Sequence, residues 1–367
     1  MPKLKIDIIA GTRPNFVKIA ALYSALHEDL ELSSKFQLRL IHTGQHYDFN
    51  MSESFFDQLG IPSPDYNFGV GGGTHAKQTG SIMTAYEELL FIEAPDLCIV
   101  VGDVNSTLAC ALAAKKMNVQ VAHIEGGIRS GDTSMPEEIN RLATDAISDY
   151  FFTTTDVASN NLLRSGVSQK NIFFVGNTMI DTLTRNIPQF IKPDFFNKLS
   201  LEKKNFLLIT LHRPGNVDDD HMFEKIINGI AEAAIDTPVV FPAHPRTRER
   251  LLDGKIKFKN LHVIDPLPYL EFNWLLNNSM GVVTDSGGIT EEATFLGIPC
   301  ITMRDSTERP ETVNLGTNIL VGKNIEKLAT LINDMKMRIW KDASIPDLWD
   351  GNSGKRILES ILRLKLI

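Results

Sequence analysis

In the first half of the chain, carboxylates recur directly behind apolar runs. Asp103 stands in Val101-Gly102-Asp103, Glu125 in His123-Ile124-Glu125-Gly126-Gly127, and Glu137 and Glu138 follow Pro136. Bunched carboxyl groups raise one another's pKa, and such a set furnishes the acid and the base that abstraction of a carbon-bound proton needs. Each has a plainer reading by itself: Asp103 as a turn or cap residue, Glu137 and Glu138 as first-turn acids that suit the positive end of a helix. Their shared placement is what points to proton transfer. Cations accompany them. Gly11-Thr12-Arg13-Pro14 closes the first apolar run and Lys18 follows about one helical turn later. Arg13 and Lys18 thus aim positive charge at the same end of the fold, where an anion would bind, with a solvated surface as the plainer reading.

The second half carries a phosphate signal. In Thr284-Asp285-Ser286-Gly287-Gly288-Ile289-Thr290-Glu291-Glu292 a strand ends, two glycines follow and a helix starts. Unpaired N–H groups there favour an anion, and Gly287 and Gly288 remove the Cβ atoms that would hold a diphosphate away. Glu291 suits the dipole of a first turn, whereas Glu292 suits acceptance of hydrogen bonds from ribose hydroxyls. His212, beside Arg213, and His244 both follow strands of this half, and His212 suits phosphate binding or proton transfer.

Other chemistries lack their residues. The first βα turn has one glycine and a cation where a dinucleotide site wants GxGxxG, so no nicotinamide cofactor is expected. His42 and His46 straddle a strand end and the carboxylates lie on separate loops, so no metal site is expected. Gly71-Gly72-Gly73-Thr74-His75-Ala76-Lys77 has Ala76 where a P-loop needs glycine and no strand leading in; it reads as a mobile surface loop. Cys98, Cys110 and Cys300 sit in apolar segments without CxxC spacing and read as buried thiols.

The elements that must position these residues are visible as short β-rich runs separated by helical patterns, which predict parallel sheets buried on both faces. Strands are expected at 4–10, 36–41, 97–101, 119–124, 150–153 and 172–175, with helices at 14–27, 106–117 and 136–148. A second series is expected at 206–210, 239–241, 261–264, 281–284, 300–303 and 318–321. The chain is therefore expected to be α/β: two Rossmann-like, doubly wound domains facing a cleft. Their bounds are 1–176 and 205–352, joined by an exposed linker over 177–204, with a last helix at about 353–367 free to cross back. In such sheets ligands sit at the carboxyl ends of the strands.

The 367 residues suit two domains. A formal charge of -8 without a dominant Lys/Arg cluster argues against nucleic acid. No apolar run is long enough to span a bilayer, and the first apolar stretch is interrupted at Asp7, so a cytoplasmic protein with no membrane partner is expected.

Several of these motifs are long. Gly11-Thr12-Arg13-Pro14, Thr43-Gly44-Gln45-His46, Gly102-Asp103, His123 to Arg129, Met135 to Arg141, Gly176-Asn177-Thr178, Leu211-His212-Arg213, Thr284 to Glu292 and Arg304 to Glu311 together resemble the non-hydrolysing UDP-N-acetylglucosamine 2-epimerases. The resemblance implies a GT-B-like fold and interconversion of UDP-GlcNAc and UDP-ManNAc by elimination of UDP to 2-acetamidoglucal and re-addition, for surface polysaccharide precursors. It implies Asp103, Glu125 and Glu137 as acid–base carboxylates, His212 as a catalytic or diphosphate group, and Arg13 and Lys18 at diphosphate and sugar. Ser286, Gly287 and Gly288 would hold phosphate, Glu292 the ribose, Arg309 further parts of the substrate, and Leu267 and Phe272 the uracil, unless the last two are ordinary core. It further implies a homodimer with a UDP-sugar substrate, no cofactor and no metal. Gln45 matches the allosteric pocket of bacterial members, but no Arg follows within 71–78. The short stretch between Arg129 and Glu137 resembles relatives acting on UDP-2,3-diacetamido-2,3-dideoxy-glucuronate. A GT-B glycosyltransferase is the alternative of another class.

Overall fold

The apolar runs become the strands of two parallel sheets in the computed structural model, which describes residues 3–45, 53–243, 245–252, 258–364 and 366. In the first sheet, β1 (Leu4–Ala10), β2 (Phe36–His42), β3 (Tyr66–Asn67), β4 (Leu97–Val101), β5 (Gln120–Ile124), β6 (Tyr150–Thr153) and β7 (Ile172–Phe174) run in the order β3-β2-β1-β4-β5-β6-β7. The second orders β8 (Leu207–Thr210), β9 (Val239–Pro242), β10 (Leu261–Ile264), β11 (Gly281–Thr284), β12 (Cys300–Thr302) and β13 (Asn318–Leu320) as β10-β9-β8-β11-β12-β13. Every pairing is parallel. Helices cover both faces, so β4 and β11 are buried throughout.

Strand order reverses between β1 and β4 in one sheet and between β8 and β11 in the other. Loops leaving neighbouring strands diverge there and open a crevice at the carboxyl ends, where open α/β sheets bind ligands. Arg13 and Asp103 follow β1 and β4; His212 and Ser286 follow β8 and β11.

The chain divides into two compact units, one formed by Met1–Arg185 with Asp347–Ile367 and the other by Asn186–Pro346. The expected linker over 177–204 is folded instead. Its first part is the helix Thr178–Asn186, with Met179, Ile180 and Leu183 buried in the first unit, and its second part gives Phe196 and Leu201 to the core of the other. Prolines and lysines between these apolar positions hid their burial. The last helix, Ser353–Ile361, belongs to the first unit: Gly354 lies so close to the helix Arg13–Glu28 that an added Cβ would stand 2.3 Å from the Ala21 carbonyl oxygen.

Asp7, the polar interruption of β1, is fully buried opposite Arg39 of β2. The guanidinium donates to both carboxylate oxygens at 2.6 and 2.9 Å, and the Tyr86 hydroxyl donates at 2.9 Å. Burial pushes the Asp7 carboxyl above its ordinary pKa, while Arg39 and Tyr86 pull against that rise.

Candidate functional site

In the first unit the site begins with Thr12, the N-cap of the helix Arg13–Glu28, and Asn15 one turn in. The Asn15 side-chain oxygen accepts from the Gly11 and Thr12 amides, both at 3.1 Å, and its amide donates to the Val101 carbonyl at 3.1 Å. One side chain thereby ties the turn after β1 to the end of β4. Lys18, on the same helix, reaches Glu125 beyond β5 with Nζ–Oε2 at 2.6 Å, both side chains nearly buried. Gly102 lies in the left-handed region at φ +70, and a Cβ there would stand 3.3 Å from Lys18 Nζ. Glu125 itself has φ +71. A non-glycine residue in that region is strained, and such strain gathers at functional sites.

Asp103, next to Gly102, takes an Arg141 N–H on Oδ2 at 2.5 Å, and its backbone carbonyl takes the Asn140 amide at 2.9 Å. Both partners come from the helix Pro136–Ile147. The other Arg141 nitrogen donates to Glu138 at 2.7 Å, and Glu138 also accepts from the Ser130 and Gly131 amides at 2.9 and 3.1 Å. Burial opposes ionisation of Glu138, but these donors outweigh it and hold the carboxyl below its usual range. Glu137 is half-buried in the first turn of the same helix, and Arg13 stacks over the Phe55 ring at 5.0 Å.

In the second unit a clamp joins β8 to β11. Asp285, fully buried, accepts from the amides of His212 at 3.1 Å and Arg213 at 3.0 Å and from the Asn216 side chain at 3.0 Å. The His212 ring adds Nδ1 at 2.8 Å while its side chain stays 62% exposed. Burial opposes ionisation of Asp285, yet these contacts leave its carboxyl below the ordinary range. Ser286 is the N-cap of the helix Gly287–Phe295 but makes no side-chain capping bond, so the first N–H groups of the helix keep their capacity for an anion. Arg213 and Arg304 stand beside Glu308 at this helix start, Arg304 donating to it at 2.5 Å. A Cβ on Gly287 would lie 2.6 Å from a Glu308 carboxylate oxygen, so any larger residue there would push the Glu308 side chain aside. Glu292 is buried next to Asn273, whose amide donates to it at 3.4 Å, and burial raises its carboxyl to about 7 against the pull of Tyr269 and Asn273.

A family model described as UDP-N-acetylglucosamine 2-epimerase matches residues 28–362. This chain belongs to that family. Among its epimerase relatives, the UDP-N-acetylglucosamine 2-epimerase of Methanocaldococcus jannaschii is 45% identical over 97% of this chain and 98% of its own. The UDP-2,3-diacetamido-2,3-dideoxy-D-glucuronate 2-epimerase of Pseudomonas aeruginosa is 45% identical over 87% of this chain and 88% of its own. A crystal structure of the M. jannaschii epimerase with UDP-GlcNAc and UDP has a TM-score of 0.87 at 43% identity, covering 98% of this chain and 100% of that one. The GT-B-like epimerase fold follows.

Within this epimerase fold, Lys18, Glu125 and Asp103 come together at the carboxyl ends of β1, β4 and β5, and His212, Ser286, Gly287 and Gly288 at those of β8 and β11. Leu267 and Phe272 are half-buried against the core of the second unit. Arg309 is nearly buried and pairs with Glu291 at 3.1 Å. Glu291 thus has a different setting from the expected one: the helix starts at Gly287, which puts Glu291 in the second turn, where Arg309 rather than the dipole offsets its charge. His46 and His244 lie outside the described residues. Sequence reasoning missed Asp285 and Arg141, although a charged residue closing an apolar strand (Asp285) and an arginine one turn beyond Glu137 and Glu138 were visible signals. It also missed the 18-residue helix His75–Ile92, which Thr74 caps directly after the glycine run. Its Gln78 and His75 bond Asn105, and Asn140 bonds Asn105 and the Asp103 carbonyl, so the glycine-rich stretch feeds the turn carrying Asp103. Among the described residues no group of three or more His, Cys, Asp or Glu is arranged to hold a metal, and no helix is long and apolar enough to cross a membrane.

Proposed function

We propose that the chain interconverts UDP-GlcNAc and UDP-ManNAc. The observation that carries the reading is the pair of carboxylates at the ends of neighbouring strands, Asp103 held by Arg141 and Glu125 held by Lys18, in a chain 45% identical to a UDP-GlcNAc 2-epimerase. The helix start at Ser286, Gly287 and Gly288 takes the diphosphate, with His212 and Arg213 beside it. Glu292 takes the ribose hydroxyls, and Leu267 and Phe272 pack the uracil. Arg13 and Lys18 complete the contacts to diphosphate and sugar, and Arg309 contacts further parts of the substrate. One of Asp103, Glu125 and Glu137 removes the C2 proton as the C1–O bond breaks, giving 2-acetamidoglucal and UDP. UDP then adds back to C1 while a proton is delivered to the opposite face of C2. We infer the same chemistry in the cytoplasm, by a homodimer that supplies surface polysaccharide precursors.

In D2O, UDP-GlcNAc incubated with the purified protein alone is expected to gain deuterium at C2 and to yield a UDP-ManNAc fraction, both read by NMR. No exchange with any UDP-2-acetamido sugar would overturn the reading in favour of a GT-B glycosyltransferase. The equal identity to the P. aeruginosa relative supports a second substrate, UDP-2,3-diacetamido-2,3-dideoxy-D-glucuronate. Exchange with that sugar and none with UDP-GlcNAc would move the assignment to it.

Glu292 gives a pH signature. Ribose hydroxyls donating to its carboxylate favour the ionised form, so binding of UDP-GlcNAc releases a proton from a group raised to about 7. Affinity should therefore climb as pH rises towards 7, by at most about tenfold per pH unit for one proton, and level off above it. Calorimetry on the protein and on Glu292→Gln checks this. A slope that persists in Glu292→Gln would remove Glu292 from the linkage.

A further inference from the structure

His123 is the fourth of the five residues of β5, an interior strand of a sheet covered on both faces, where an apolar residue would be expected and where a polar one is unfavourable unless bonded. It is 1% exposed and fully bonded. Nδ1 lies 2.7 Å from Asp145 Oδ1 and Nε2 lies 2.7 Å from the Gly102 carbonyl oxygen. Both partners are acceptors, so both bonds are made together by a ring that donates from each nitrogen. The other Asp145 oxygen accepts the Gly127 amide at 3.0 Å and an Arg129 N–H at 2.6 Å. Burial opposes ionisation of Asp145, and His123 and Arg129 outweigh it to hold the carboxyl below its usual range.

The imidazole thus joins two turns to one helix. Gly102 precedes Asp103, and Gly127 stands two residues after Glu125. Both turns leave little slack: Gly102 and Gly127 have φ +70 and +81, and a Cβ on Gly127 would lie 2.2 Å from the Ala158 carbonyl oxygen. We propose that His123, braced by Asp145 and Arg129, is a positioning residue that sets the separation between the carboxylates of Asp103 and Glu125. It acts through the Gly102 carbonyl and the Gly127 amide without touching substrate, and the assignment rests on the epimerase reading above. Displacement of a reacting group by about 1 Å commonly lowers a rate by about 100-fold, so a fixed brace between two turns has a kinetic consequence.

The test compares His123→Phe, which removes both donors at similar bulk, with Asp145→Asn, which keeps the shape and loses the charge, and with the double variant. The rate is kcat per molecule whose first unit is folded, counted by hydrogen-exchange protection of β4 and β5, so unfolded protein does not count. At least a tenfold fall is expected in each single variant, with KM for UDP-GlcNAc and affinity for UDP within about threefold, and the double variant no worse than the lower single, as for residues acting as one unit. Misplaced carboxylates should also let 2-acetamidoglucal and UDP escape, raising their yield per epimerisation event by NMR. A merely structural role would lower all rates in proportion to the folded first units lost, leaving kcat per folded molecule and that ratio unchanged; this result overturns the proposal. Asp145→Asn carries the same expectations if His123→Phe does not fold. Absence of turnover in the unaltered protein would overturn the epimerase reading instead.

Discussion

Asp103→Asn is expected to lower turnover of UDP-GlcNAc by about 100-fold or more, the usual scale for a group that moves a proton in the rate-determining step. The substitution keeps the volume of the side chain, and two features keep the turn in place. Asn140 bonds the Asp103 backbone carbonyl, and His123 bonds the carbonyl of Gly102; neither contact involves the carboxylate. Arg141 loses one charged partner but retains Glu138 at 2.7 Å. The loss should therefore appear in kcat and in the rate of deuterium entry at C2. UDP affinity should stay within about twofold, because the helix start proposed for the diphosphate belongs to the other unit. Turnover within a few-fold of the unaltered protein would take Asp103 out of the proton path and leave Glu125 and Glu137 as the candidates.

Much of this arrangement was legible in the sequence because its signals are local. β4 and β11 lie where apolar, β-branched runs end at a glycine or a charged residue, and the chemistry-bearing residues Asp103 and Ser286 follow those ends closely. What was not legible depends on contacts between distant positions. Glu291 reads as a first-turn acid until the helix start is fixed at Gly287 and Arg309 is found against it. His123 reads as one more member of an apolar strand until Asp145, 22 residues on, is brought to its ring. The segment 177–204 looks like a linker because its apolar residues are spread among prolines and lysines, and only packing shows that Leu183 and Phe196 serve different cores. Spacing can nominate a catalytic carboxylate; the cation that holds it comes from tertiary structure.

The largest expected effect on stability comes from a pair with no part in the proposed chemistry. Arg39→Met should cost about 3–5 kcal/mol near neutral pH, because it leaves the Asp7 charge buried without its partner. Asp7 is fully enclosed and Arg39 is 5% exposed, so water cannot take the place of the guanidinium, and the Tyr86 hydroxyl supplies only one neutral donor. The second contact of Arg39, with Glu93 at 2.6 Å, adds little, since Glu93 is 41% exposed and solvent can replace it. The pH dependence has a definite sign. Burial already raises the Asp7 carboxyl above its ordinary value, and losing Arg39 raises it further. A folded-state pKa above the unfolded one favours the folded state at low pH and withdraws that favour as pH rises through it. The deficit of Arg39→Met should accordingly shrink as pH is lowered from 7 towards 5, measured by chemical denaturation at each pH. Replacing both partners, Asp7→Leu with Arg39→Met, should return most of the lost stability, because no charge then remains to be solvated. A deficit for the single variant below about 1 kcal/mol and flat with pH would mean that Asp7 is not held as a carboxylate by Arg39, and that the strand pair β1–β2 draws its stability from its apolar neighbours alone.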